Sequence, residues 1–133
     1  MAPAWVETQR NMFVRFVVGT DSENHRWLKG IINEALRLRD RGRLDPHQQA
    51  CLDDAHVWLN AHLPVPPFSR SDWGPNVVCW FKDTADPSIK KMWEIVALLK
   101  ENGIAVRLLR SRNPGKIVYE DDFQVVVRQW KHL

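Results

Sequence analysis

Val77-Val78-Cys79-Trp80-Phe81, followed by Lys82 and then by Asp86-Pro87, decides how this chain of 133 residues is read. Five consecutive apolar side chains, with no polar residue alternating among them, suit a strand covered on both faces. Residues 76–82 therefore read as a strand at the centre of a sheet. Asp86-Pro87 supplies a helix cap and a proline in the first turn. Ile89, Met92, Trp93, Val96 and Leu99 then recur at helical spacing until Gly103 ends the run. Ile104 to Leu109 is again a short apolar run. A strand, helix and strand with tight connections predict two parallel strands joined by a right-handed crossover.

Outward from this unit, Met12-Phe13-Val14-Arg15-Phe16-Val17-Val18 is rich in β-branched and aromatic residues and reads as a buried strand ending at Gly19. Asp21 or Ser22 caps a helix whose apolar residues are Trp27, Leu28, Ile31, Ile32, Ala35 and Leu36, stopped by Gly42. Asp45-Pro46, with Gln48 in capping-box position, starts a second helix carrying Cys51, Ala55, Trp58, Leu59 and His62 on one face. The short Arg41-Gly42-Arg43-Leu44 link makes the two an αα-hairpin. Pro64-Val65-Pro66-Pro67 leads into an ordered loop, Phe68 to Pro75, because proline fixes φ and donates to no ladder. Beyond Leu109, Asn113-Pro114-Gly115 turns the chain into residues 116–119, and Glu120-Asp121-Asp122 separates those from residues 123–128, giving a meander of two hairpins. The expected fold is α+β, a compact α/β arrangement of about three helices on a mixed sheet of four to five strands, in the order β-α-α-β-α-β-β-β. Trp27, Trp58, Trp80 and Trp93 are expected in its core. Residues 12–133 read as one domain, and residues 1–11 as a loosely held extension.

Composition narrows the function classes. With 44% apolar and 26% charged residues and a net charge of +3, the chain is neither disordered nor fibrous. Its longest apolar run is far short of the roughly 20 residues a spanning helix needs, so no membrane association is expected. Residues 1–11 have no apolar signal-like core, and Cys51 and Cys79 stand far apart as free thiols, which together suggest a cytoplasmic protein. Charge is polarised. Residues 22–44 and 104–133 each hold six cations against three anions, while residues 45–103 hold five cations against eight anions.

The constellations that carry chemistry are sparse. His47, Cys51, His56 and His62 share one helix, but His56 lies on the side away from His47, so the four do not converge on a metal. Glu120 and Asp122 point to one side of a strand and, with Asp83, are the candidate carboxylates for a divalent ion. No activated serine or cysteine and no phosphate-binding glycine loop is present, and no cofactor is expected. The most suggestive feature is a basic hairpin carrying Arg107, Arg110, Arg112 and Lys116 around one turn, able to grip phosphates or an acidic protein face. Trp5, Trp73 and Trp130 fall outside the expected core, and Trp73 and Trp130 are the candidates for partner contact.

Three stretches occur together: Met12 to Val17; Trp80-Phe81-Lys82 with Met92-Trp93-Glu94; and Val118-Tyr119-Glu120-Asp121 running to Phe123-Gln124-Val125-Val126. They resemble a group of small bacterial proteins without an assigned activity, over most of residues 12–130. The resemblance implies a bacterial or phage origin and a start near Met12, and it brings no functional residue with it. The residues themselves lead to a small non-enzymatic binding module that recognises a macromolecule, first a protein, through the basic hairpin and the tryptophan-bearing loop. The alternative is a nucleic-acid-binding protein, or a metal-dependent nuclease using Glu120 and Asp122.

Overall fold

The computed structural model describes residues 12–19, 29–68, 72–74 and 76–128. Among them are the helices α1 (Ile31–Asp40), α2 (Pro46–His62) and α3 (Asp86–Glu101). The strands are β1 (Phe13–Val18), β2 (Lys29–Gly30), β3 (Val77–Lys82), β4 (Val106–Ser111), β5 (Lys116–Glu120) and β6 (Gln124–Arg128). The fold is α+β in the expected order, with one addition. The two-residue β2 pairs antiparallel with the end of β1, Val17 opposite Gly30, and leads directly into α1 with Gly30 as its cap. The single helix expected from Asp21 or Ser22 to Gly42 therefore does not run through Lys29–Gly30, where the backbone is extended. The expected cap at Asp21 or Ser22, the helical residues Trp27 and Leu28, and residues 1–11 with Trp5 lie outside the described residues.

Hydrogen bonding runs in the order β2-β1-β3-β6-β5, with β4 on β1. Each pairing along that path is antiparallel. The unbroken apolar run of β3 does take the central place. Two features of the pairing are not legible from the sequence, however: β4 is bonded to β1, which itself pairs β3, and β5 pairs β6 rather than β4, so among the described residues the C-terminal third holds one hairpin instead of the expected two. Competition for the edges of β3 explains both. β6 matches β3 continuously from Val77↔Arg128 to Phe81↔Gln124, and its Val125, Val126 and Val127 are fully buried. β4 carries Arg107 and Arg110 within its run and cannot offer an equally apolar partner.

The chain packs as two compact units. The strand-rich unit takes the described residues of 1–15, 65–86 and 109–133. Its core is Phe13, Trp80, Val125 and Val127, with Val78 and Leu109 packed against it.

The helix-rich unit takes the described residues of 16–64 and 87–108. α2 begins with a complete capping box: the Asp45 carboxylate accepts from Gln48 N–H at 2.8 Å and the Gln48 side-chain carbonyl accepts from Asp45 N–H at 3.1 Å. Its buried stripe is Gln48, Leu52, Ala55 and Leu59, one position round from the expected face of Cys51, Trp58 and His62. Leu52 excludes water better than Cys51 and takes the inward position. α1 ends as Gly42 adopts φ +68 and Arg43 N–H reaches the Leu38 carbonyl at 2.9 Å. An Arg39–Asp53 ion pair at 3.8 Å links α1 to α2. α3 buries Met92, Ile95, Val96, Leu98 and Leu99. That aliphatic stripe leaves Trp93 45% exposed, its ring edge-on to Phe16 at 5.0 Å. Trp58 is half-buried and stacks on His62 at 4.2 Å. Of the four tryptophans expected in the core, Trp80 alone is there among the described residues. No helix among the described residues is long and apolar enough to cross a membrane.

Candidate binding face

The β5–β6 hairpin is organised from its turn. Asp121 sits between the strands, and its carboxylate accepts from Phe123 N–H at 2.8 Å, Gln124 N–H at 3.1 Å, the Gln124 side-chain amide at 3.0 Å and the Tyr119 hydroxyl at 2.8 Å. An aspartate reaching forward to backbone N–H groups is the local device by which such turns form. Burial pushes the Asp121 carboxyl up, but the bonds from Phe123, Gln124 and Tyr119 outweigh it and hold the group below the usual carboxylate range. The same bond to Asp121, with a smaller contribution from burial, raises the Tyr119 phenol. At the other end of the hairpin Gly115 adopts φ +153, and a Cβ there would fall inside van der Waals contact of the Arg128 carbonyl. Turn and glycine together bring β5 onto β6.

Register then fixes what shares a face. Lys116 lies opposite Arg128 and Tyr119 opposite Val126, with a bulge between Ile117 and Tyr119. Directly opposed residues point the same way, and Val126 and Arg128 are two apart, so Lys116, Arg128 and Tyr119 project from one side of the hairpin. The proline loop comes to that side. Arg128 Nε donates to the Trp73 carbonyl at 3.1 Å, and the Trp73 ring stands 6.1 Å from the Tyr119 ring, tilted by 39°. Phe68, 44% exposed, meets Trp73 edge-on at 5.9 Å. Lys116 and Arg128 are both exposed, and neither forms an ion pair among the described residues. Three aromatic rings and two unneutralised cations thus meet at one end of the strand-rich unit.

The residues singled out from sequence are distributed differently. Lys116 and Trp73 come together on this face, and Trp130 lies outside the described residues. Arg107, Arg110 and Arg112 do not share a hairpin with Lys116, because β4 is bonded to β1 and β5 to β6. Arg110 and Arg112 are exposed, whereas Nε and Nη2 of Arg107 are shut off from solvent without a hydrogen-bond partner among the described residues. Glu120 is neutralised by Lys82 at 2.6 Å, and Asp122 is exposed, with Asp121 turned inward between them. No group of three or more metal-ligating side chains converges among the described residues. Burial pushes the Cys79 thiol up to about 11 against the opposing pull of the Arg15 guanidinium, so the thiol is protonated at neutral pH. Sequence reasoning did not single out Phe68, Tyr119 and Arg128. Their signal was present in the proline loop, in β5 and at the end of β6, but only the register joins them.

A second concavity, of about 310 Å³, opens between α2 and α3 and is lined by His47, Gln48, Cys51, Lys91, Glu94 and Glu101 among others. Its polar groups face one another: Gln48 Nε2 donates to Glu101 at 3.1 Å, Lys91 pairs with Glu94 at 3.4 Å, and His47 Nε2 lies 3.8 Å from Cys51 Sγ. No family model matches the chain, and neither the curated proteins nor the solved structures contain a significant match to it.

Proposed function

We propose that the protein is a non-enzymatic binding module that holds a macromolecular partner against the face formed by the Trp73 loop and the β5–β6 hairpin. The observation that carries this reading is the junction of half-open aromatic rings with Lys116 and Arg128, two exposed cations without an ion pair among the described residues. Partially exposed aromatics with an arginine among them are the residues that most often anchor macromolecular contacts. The Arg128 bond to the Trp73 carbonyl fixes the loop against the hairpin, so the rings are in place before a partner arrives and less ordering accompanies binding. The alternative of metal-dependent cleavage draws less support, because Glu120 is already paired with Lys82 and Asp121 is committed to its own turn.

The test is affinity capture from the native host by the full chain, beside the double variant Lys116→Glu, Trp73→Ala. A stoichiometric species retained by the unaltered chain and lost with the double variant, both proteins melting at similar temperatures, supports the reading. Equal retention of every species by the two proteins overturns it.

A further inference from the structure

We infer that the partner taken by this face is single-stranded nucleic acid, a deepening that rests on the binding face proposed above. The chemistry of the face favours unpaired bases with phosphates over an acidic peptide. Tyr119 has its hydroxyl bound to Asp121, so it offers a partner its ring rather than a hydrogen bond. Phe68 carries no polar group and Trp73 only its indole N–H, and their rings, together with that of Tyr119, lie in three orientations. Stacking on such rings tolerates any base, because every base has a π-face. Beside the rings, Lys116 and Arg128 stand opposite each other on paired strands and project to the same side. Of the nearby carboxylates, Glu120 is neutralised by Lys82 and Asp121 is turned into its hydrogen-bonded turn. Asp122 and Asp72, whose backbone carbonyl accepts from Arg128 at 3.5 Å, are exposed, so the charge of Lys116 and Arg128 is met only in part on this side. Phosphates spaced along a flexible strand can meet both cations while neighbouring bases splay onto the rings. A duplex keeps its bases stacked on one another and offers this face only phosphates.

Fluorescence anisotropy with labelled oligouridine and oligothymidine tests the inference, with a duplex of mixed sequence as comparison. Both single strands should bind better than the duplex, and the arm with the higher affinity tells RNA from DNA. Neutralising two phosphates predicts that a fourfold rise in salt weakens binding about sevenfold. Trp73→Ala should weaken it about tenfold, the loss expected of one stacking ring, while Trp73→Phe recovers most of the loss. Lys116→Glu alters an exposed side chain and leaves the fold intact, so its loss of binding does not depend on how well the Trp73 variants fold. Binding to both oligomers that is unmoved by Trp73→Ala and Lys116→Glu overturns the inference. No binding of either oligomer also overturns it; if host capture still depends on Lys116 and Trp73, the face then serves a protein partner and the wider reading survives, and if that dependence is absent too, both fail.

Discussion

The cleft between α2 and α3 and the aromatic face of the β5–β6 hairpin are both open and both polar, yet their charges are arranged in opposite ways. In the cleft Lys91 faces Glu94, Gln48 reaches Glu101, and His47 lies beside Cys51. On the hairpin face Lys116 and Arg128 have no ion-pair partner among the described residues, and the Trp73 ring stands between those of Phe68 and Tyr119 at 5.9 and 6.1 Å. Polar groups already bonded within a surface gain little by exchange for a ligand's groups, although in the cleft Glu101 meets only a neutral amide and Asp54 adds a further carboxylate. A surface with unmatched charge beside exposed rings gains both an ion contact and apolar burial. The concavity is therefore the weaker candidate.

Breaking the hairpin gives the largest expected effect. Gly115→Ala places a Cβ against the Arg128 carbonyl at a φ that side chains avoid, and should cost about 3 kcal/mol of stability. The matched substitution in the helix-rich unit, Gly42→Ala, also meets a positive φ but has open space around it, and should cost only about 1 kcal/mol. Urea denaturation of both variants separates the contribution of the close approach from that of the backbone conformation. Equal losses would mean that the contact with Arg128 relaxes freely and that the glycine does not fix the hairpin.

The turn comes next. Asp121→Asn removes the charge that four donors share and should cost about 2 kcal/mol at neutral pH, as hydrogen bonds to a charged acceptor are worth more than neutral ones. The sign of the pH dependence follows from the depressed carboxyl. Its contribution is fully present above the unfolded value of about 3.9 and is lost as pH falls through the lower folded value, because the unfolded chain then binds the proton more readily. The gap between the two proteins in urea midpoint should therefore narrow below about pH 4. A gap that stays constant into strong acid would show that the charge on Asp121 does not stabilise the turn.

These two sites also mark how far the sequence could be read. The capping box of α2, the ends of α1 and α3 and the central place of β3 are written in short-range patterns: Asp45-Pro46 with Gln48, Gly42 after α1 and Gly103 after α3, and an unbroken apolar run. The partner of each strand is a long-range choice. Asn113-Pro114-Gly115 looks like a hairpin turn as well as Glu120-Asp121-Asp122 does, and what separates them is that the second is closed by Asp121 while β6 already occupies the edge of β3. The basic hairpin therefore dissolved, and a face assembled from Phe68, Trp73, Tyr119 and Arg128 took its place. Those residues span both sides of α3 in the sequence, and no local pattern joins them. Trp93 fails for a related reason: helical spacing placed it beside Met92, Val96 and Leu99, which are buried, but did not choose between Trp93 and Ile95 as their inward neighbour.

The smallest effect belongs to the cleft. Lys91 and Glu94 are an i, i+3 pair on α3 whose carboxylate is half-exposed, and Lys91 also lies 5.9 Å from the centre of the Trp58 ring. In a double-mutant cycle with Lys91→Met and Glu94→Gln, the coupling should not exceed about 0.5 kcal/mol at low salt. It should fade toward zero in molar salt, because water and ions screen an exposed pair. Neither substitution should alter retention of the partner captured through Lys116 and Trp73. A cleft variant that weakened capture as much as Lys116→Glu would remove the distinction between matched and unmatched charge. The polar groups of α2 and α3 would then have to exchange their internal partners for a ligand's, which requires the ligand to supply a cation for Glu94 as well as an anion for Lys91.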